Sequence, residues 1–151
     1  MLELYLADDL PKDLLESTRK QIAGTDCGLE VVSRERLGEL SHTSEHQGFL
    51  ARVGPYPYLP PEELLKNSSD DGVWLVLVGI QDPHNLGACL RVADAFGVHA
   101  VIAPKDRAVG LTAAVYKVSS GAADTVPFIA VTNLSRTLQQ LKQQGIWIVG
   151  T

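Results

Sequence analysis

The residues after position 72 alternate regularly between short apolar runs and segments whose apolar residues have helical spacing. The apolar runs are nearly continuous, which is typical of strands buried on both faces of a parallel sheet. This alternation predicts an α/β fold with helices on both faces and ligands at the carboxyl ends of the strands. We expect strands at 73–78, 100–103, 127–131 and 146–149, and helices at about 85–96, 111–119 and 133–144.

The first 53 residues predict a smaller α/β domain. The opening LELYLA places a leucine at every second position, as in a half-buried strand. A helix is expected next, with Pro11 in its first turn, Asp9 as a candidate cap and Gly24 as its stop. Further along we expect strands at 29–33 and 48–53 and a short helix at 34–40.

Residues 54–72 predict a linker between the two domains. They contain four of the eight prolines and end in the polar run NSSDDG. Proline restricts the backbone, and Asn, Ser and Asp favour turns and water over a packed core. We therefore expect a first domain at 1–53, a linker with one helical turn at 61–66, and a second domain at 73–151.

Charge is distributed unevenly along the chain. The formal net charge of −5 argues against a globally basic nucleic-acid binder. Residues 1–53 hold 6 Lys and Arg against 10 Asp and Glu, whereas residues 73–151 hold 6 against 4. The second domain is thus weakly basic. Its cations suit contact with RNA phosphates, although a scatter of this size is also typical of a solvated surface.

Several features favour a soluble protein of the cytoplasm. No apolar run reaches the roughly 18–20 residues of a membrane span. The N-terminus is acidic where a signal peptide is basic. Cys27 and Cys89 lie in different domains, which favours reduced thiols over a disulfide framework or a paired-cysteine metal site.

The segment DPHNLGACLR, residues 82–91, follows the first strand of the second domain. Asn85 is a candidate cap for the helix that follows, and Gly87 would allow that helix to approach a neighbouring backbone. Helical spacing predicts that the buried side of this helix contains Leu86, Cys89, Leu90 and Ala93. It places Arg91 on a different face. Spacing alone leaves open the alternative that Asn85 is only a helix cap and Arg91 only a solvated surface charge.

Other kinds of site find little support. Gly79 and Gly87 are too far apart for the dinucleotide fingerprint, and no phosphate-loop motif is present. The four histidines lack the spacing of metal ligands, so no metal site is expected. Ser119 and Ser120 do not lie on a nucleophile elbow, which argues against a hydrolase.

Taken together, the motifs resemble a known family. DPHNLGACLR, ADAFGVHAVI, PKDR, KVSSGAAD and WIVGT resemble the SpoU (TrmH) family of RNA ribose 2'-O-methyltransferases, in the SPOUT superfamily. HQGFLARV at 46–53 resembles the end of that family's substrate-binding domain. The resemblance implies a small α/β substrate-binding domain followed by a Rossmann-like catalytic domain. It also implies methyl transfer from S-adenosylmethionine to a ribose 2'-hydroxyl of rRNA, with a 23S rRNA guanosine favoured over tRNA.

The resemblance also implies roles for individual residues and a homodimeric assembly. Asn85 and Arg91 match the family's first motif, in which the arginine helps to activate the ribose hydroxyl. The other residues expected to take part are Gly150 and Thr151 at the cofactor and His46, Gln47, Lys105, Arg107 and Lys117 at the RNA.

The resemblance has limits. The family's second and third motifs, which form the C-terminal trefoil knot, are expected after WIVGT and are absent from the 151 residues. The chain also begins at a strand where the family has a helix. We therefore expect a truncated catalytic domain that is inactive alone. A non-catalytic RNA-binding module is the alternative function, and a Rossmann oxidoreductase ranks third because the glycine fingerprint is missing.

Overall fold

A computed structural model describes residues 2–56, 58 and 72–151. The chain divides into two compact units, Met1–Pro55 and Tyr56–Thr151, called here the first and second units. Each described unit contains a three-stranded sheet of its own. The helical turn expected at 61–66 lies outside the described residues.

The first unit is a mixed sheet with two helices. Its sheet has its first strand in the centre, parallel to the second strand and antiparallel to the third. All five predicted elements are confirmed, but Asp9 as a helix cap is wrong. The first helix begins after Pro11 without a side-chain cap, and Asp9 lies too far upstream and pairs with Arg34 instead. The elements are β1 (Leu2–Ala7), α1 (Lys12–Ile22), β2 (Cys27–Val32), α2 (Arg34–Ser41) and β3 (Phe49–Arg52).

The second unit is an α/β layer structure with a wholly parallel sheet, as predicted. Its elements are β4 (Trp74–Val76), α3 (Pro83–Ala95), β5 (Ala100–Pro104), α4 (Ala113–Ser119), α5 (Ala122–Thr125), β6 (Phe128–Val131) and α6 (Leu134–Gln143). The strand order is β4-β5-β6, so β5 lies in the centre. Because the strands are parallel, all three end at one edge, called here the carboxyl edge, where α3 and α6 begin.

The central strand β5 is buried on both faces, which explains its continuous apolar sequence. Val101 and Ala103 pack into a cluster with Leu86 and Leu90 of α3. Ala100 and Ile102 point to the other face and pack into a cluster with Leu141 of α6, among others. Alternate side chains of one strand thus contribute to two cores, and together these cores hold α3 and α6 on opposite faces of the sheet.

The prediction of a strand at 146–149 is wrong. Residues 146–151 have no assigned secondary structure, and no strand pairing joins them to the described sheet. The Ile146 amide donates to the Leu141 carbonyl at the end of α6, while Trp147 and Val149 are 93% and 88% exposed. An apolar run becomes a strand only where a partner supplies ladder hydrogen bonds, and none of the described residues does so here.

Candidate active site

The helix α3 starts two residues before the predicted position. Asp82 is its cap: its Oδ1 accepts a hydrogen bond from the His84 amide over 2.9 Å, and Pro83 occupies the first turn. The prediction that Asn85 caps this helix is therefore wrong. Asn85 lies within the first turn of the helix, and its side chain is exposed. The cap hydrogen bond is made by Asp82 and not by the Asn85 side chain.

Gly87 allows the close approach that its position predicts. A Cβ atom there would lie 2.7 Å from Val118 Cβ and 3.2 Å from the Ser119 nitrogen, closer than packed atoms tolerate. Gly87 therefore lets α3 lie directly against α4. The predicted buried side of α3 is confirmed for Leu86, Leu90 and Ala93, whereas Cys89 is only half-buried.

Arg91 is exposed, as its position on the helix predicts. Among the described residues, no carboxylate lies within ion-pair distance of its guanidinium. It lies six positions after Asn85, which corresponds to a rise of about 9 Å along the helix. The helix thus presents the exposed amide of Asn85 in its first turn, next to the carboxyl edge, and the exposed cation of Arg91 in its third turn.

The loops at the carboxyl edge are connected through their backbones. The Val109 amide, in the loop after β5, donates to the Ile80 carbonyl in the loop before α3 over 2.8 Å. The Lys105 amide donates to the Val131 carbonyl at the end of β6, also over 2.8 Å. These hydrogen bonds hold the loops that follow all three strands in one arrangement.

Lys105 and Arg107 lie in the loop after β5, and both side chains are exposed. Arg107 has a φ of 59°, the left-handed conformation that shapes a tight turn. Lys117 lies in the last turn of α4, also with an exposed side chain. Of these three predicted RNA-binding residues, two share a turn at the carboxyl edge and the third lies farther along the next helix.

His46 and Gln47 belong to the first unit and form a tight turn before β3. The His46 carbonyl accepts from the Phe49 amide over 3.0 Å, and both central residues, Gln47 and Gly48, have positive φ. The His46 Nδ1 accepts from the Gly48 amide over 3.0 Å, so the imidazole stabilises the turn. The turn leaves the Gln47 side chain exposed.

Gly150 and Thr151 line a groove of about 530 Å³ beside β4. The other walls are mostly apolar, from β4, the end of α6 and residues 146–149. Among the described residues, no charged side chain lines this groove. The two residues predicted at the cofactor thus lie beside the edge of β4 that no described strand pairs with, and the described lining of the groove includes neither Asn85 nor Arg91.

Two contact-forming residues of the second unit do not emerge from the sequence patterns. Tyr56 and Tyr58 fall in the proline-rich segment predicted as a linker, yet both pack within the second unit. Tyr58 Oη accepts a hydrogen bond from the Leu111 amide over 3.3 Å. The alternation of tyrosine and proline in PYPY was the available signal, since exposed linkers rarely repeat large aromatic residues.

Two further kinds of feature are absent from the described residues. No group of three or more His, Cys, Asp or Glu side chains there could hold a metal ion. No described helix is long and apolar enough to cross a membrane.

Comparison with known proteins assigns both units to related families. Residues 72–151 match the SpoU rRNA Methylase family, and residues 1–59 match the family described as RNA 2'-O ribose methyltransferase substrate binding. The chain is 58% identical to the 23S rRNA (guanosine-2'-O-)-methyltransferase RlmB of Nitrosomonas europaea, covering 99% of this chain and 58% of that protein. It is 45% identical to RlmB of Neisseria meningitidis, covering 100% of this chain and 61% of that protein.

The fold also has counterparts among solved structures. The SpoU methyltransferase AviRb from Streptomyces viridochromogenes, in complex with the cofactor AdoMet, superposes with a TM-score of 0.72 at 17% identity. The match covers 95% of this chain and 51% of that one. The chain spans about 60% of the length of the two RlmB proteins. Its fold and sequence make it a member of the SpoU rRNA methylase family, and its sequence is similar to that of the RlmB proteins.

Proposed function

We propose that the protein containing this chain transfers a methyl group from S-adenosylmethionine to a ribose 2'-hydroxyl of rRNA, with a 23S rRNA guanosine as the favoured target. The observation that carries this proposal is the exposure of Asn85 and Arg91 on α3, the helix that begins at the carboxyl edge. The names of the RlmB relatives support the substrate class.

Arg91 supplies positive charge rather than a ready base. A guanidinium is protonated at any ordinary pH, and a ribose hydroxyl is a very weak acid. Arg91 therefore assists by stabilising the alkoxide that develops as the hydroxyl attacks, or by holding the adjacent RNA phosphate. Because Arg91 has no carboxylate partner among the described residues, its charge is available to the RNA.

S-adenosylmethionine supplies a methyl group already activated by its sulfonium, so the protein's main task is alignment. The groove lined by Gly150 and Thr151 fits the cofactor only in part. Its apolar walls suit the adenine ring, but none of the described lining side chains carries a charge for the amino and carboxylate groups. We therefore infer that the described residues form one wall of the cofactor site.

The cations of the carboxyl edge provide the proposed RNA contact. Lys105 and Arg107 are exposed in one loop, and Lys117 extends the positive surface along α4. Phosphate contacts position an RNA without reading its sequence, and they weaken as salt rises. His46 and Gln47 provide the proposed contact from the first unit, where the fixed turn presents the Gln47 amide to solvent.

We also propose a homodimer that acts in the cytoplasm, where ribosomal RNA is available. Val92 in the last turn of α3 and Phe96 directly after its end are 56% and 83% exposed and lie four positions apart. A second copy of the protein would cover this apolar face. Phe96→Glu should then convert a dimer into a monomer in light-scattering measurements, whereas an unchanged mass would contradict this interface.

The decisive test removes the Arg91 charge in the complete gene product. Arg91→Ala should lower kcat for methylation of a 23S rRNA fragment about 10²–10³-fold, the usual cost of losing one group that stabilises developing charge. The melting temperature should not change, because the side chain is exposed. Arg91→Lys keeps the charge but loses the planar fork and should be intermediate.

Lys142→Ala is the matched control, because it removes an exposed cation from the far end of α6. It should leave kcat unchanged. Full activity in Arg91→Ala would contradict the proposed role of Arg91. Salt-dependent RNA binding by a wild-type protein that transfers no methyl group would favour the non-catalytic RNA-binding module instead.

A further inference from the structure

Tyr56 and Tyr58 form an aromatic clasp on the second unit. Their rings meet edge to face, with centroids 5.1 Å apart at an angle of 74°. The Tyr58 ring also lies 6.2 Å from the ring of Phe128, a fully buried residue of β6. Aromatic contacts of this geometry are stabilising, so the start of the proline-rich segment is anchored on the sheet.

The two hydroxyl groups reach different backbone amides. Tyr56 Oη accepts from the Phe128 amide over 3.4 Å, at the start of β6. Tyr58 Oη accepts from the Leu111 amide over 3.3 Å, in the loop between β5 and α4. Gly110 makes this second contact possible, because a Cβ atom there would lie 3.0 Å from Tyr58 Oη.

The loop that Tyr58 holds is joined directly to the start of the motif helix α3. Val109, two residues before Leu111, donates to Ile80 in the loop that leads into α3. Thr112, the residue after Leu111, caps α4 by accepting from the Val115 amide over 3.4 Å. Because α4 lies against Gly87 of α3, the segment 109–112 is linked to the motif helix in two ways, through the loop before α3 and through α4.

We propose that Tyr58 is a positioning residue of the methyltransferase site: its hydroxyl fixes the 109–112 loop, which in turn sets the loop before α3 and hence Asn85 and Arg91. This inference rests on the proposed function. The hydroxyl bonds the Leu111 amide, and Tyr58 acts on the site through that contact. Positioning within about 0.5 Å is what an aligned methyl transfer requires, and small displacements reduce the rate.

Tyr58→Phe removes the hydroxyl and keeps the ring. In the complete gene product, hydrogen exchange of the Leu111 amide should become roughly fivefold faster, as expected for loss of one hydrogen bond. The kcat for rRNA methylation should fall several-fold while KM for the RNA stays constant, because alignment changes and RNA contacts do not. A purely structural role would lower the melting temperature without this split.

Two matched variants isolate the effect. Tyr56→Phe removes the neighbouring hydroxyl, which bonds the Phe128 amide, and should leave Leu111 exchange unchanged. Tyr5→Phe removes a hydroxyl bonded to Glu3 in the first unit and should leave kcat unchanged. An active wild type whose Tyr58→Phe variant shows unchanged Leu111 exchange, or unchanged kcat, overturns the positioning role. An inactive wild type overturns the proposed function itself and the positioning role with it.

Discussion

The two units differ in how much of their stability comes from a buried core. In the described part of the first unit, the fully buried apolar residues are Leu6, Ala7 and Leu37, and α1 buries none. In the second unit, buried residues cover both faces of β5. A sheet covered on two faces buries more apolar area per residue and holds its loops in place more firmly.

The first unit relies more visibly on polar surface contacts. Two of its ion pairs, Arg34–Asp9 at 2.6 Å and Arg36–Glu39 at 2.7 Å, have both partners at least half exposed. Exposed pairs of this kind contribute little, about 0–1 kcal/mol each. From this contrast we infer that the second unit supplies the rigid frame for chemistry and that the first unit supplies an adaptable surface.

The largest expected effect tests this contrast in the two cores. Phe128→Ala should lower the free energy of unfolding of the second unit by about 3–5 kcal/mol, and Leu37→Ala should lower that of the first by about 2–5 kcal/mol. Since the first core is small, Leu37→Ala should unfold that unit at 25 °C while the second stays native.

Both tryptophans, Trp74 and Trp147, lie in the second unit, so fluorescence follows that unit and far-ultraviolet circular dichroism follows both. In Leu37→Ala, circular dichroism should show lost structure while fluorescence remains native. A single transition in which both signals shift together would mean that the two units unfold as one, and the contrast would fail.

A smaller effect comes from adding one methyl group to each unit. Gly87→Ala should destabilise the second unit by about 1–3 kcal/mol, because the new Cβ would lie 2.7 Å from Val118 Cβ. Gly28→Ala in β2 meets its nearest atoms at 3.9 Å and should be neutral or stabilising by up to about 1 kcal/mol.

Urea unfolding of both glycine variants measures the difference. Gly87→Ala should also lower methylation, because a displaced α3 moves Asn85 and Arg91 together. Equal stability of the two variants would show that the α3 and α4 helices can separate without cost, which contradicts tight packing in the second unit.

The smallest effect concerns two tyrosines at alkaline pH. Burial, and next the nearby Asp124 carboxylate, raise the pKa of Tyr116 in the second unit above its usual 10.0. In the first unit, the hydrogen bond to Glu3 is the main cause that raises the pKa of Tyr5. Above pH 10 the unfolded tyrosine ionises first, so each residue makes stability fall as pH rises through its folded pKa.

Tyr116→Phe and Tyr5→Phe should therefore each show a shallower loss of stability between pH 9 and pH 11 than wild type, measured by urea unfolding. High salt should diminish the Tyr5 contribution, which depends on the partly exposed Glu3 carboxylate, more than the Tyr116 contribution, which depends on burial. Equal salt sensitivity would contradict the assignment of different causes in the two units.

The sequence predicted most elements but placed several boundaries and one strand incorrectly. Asn85 was a reasonable cap by residue type, yet Asp82 and Pro83 start the helix earlier. The apolar run 146–149 has strand character, but pairing depends on a neighbour that a local pattern does not reveal. The candidate site was predictable to the level of Asn85 and Arg91, because a motif of fixed spacing carries them.

Local chemistry and spacing in the sequence determined the α/β class, the exposed position of Arg91, the need for glycine at 87 and the family resemblance. These depend on periodicity and on residue types within one helix or turn. Tertiary structure alone decided which loops meet at the carboxyl edge, through Val109 and Ile80, and that Tyr58 reaches Leu111. Those contacts join residues 29 and 53 positions apart, and only the packed sheet brings such distant residues together.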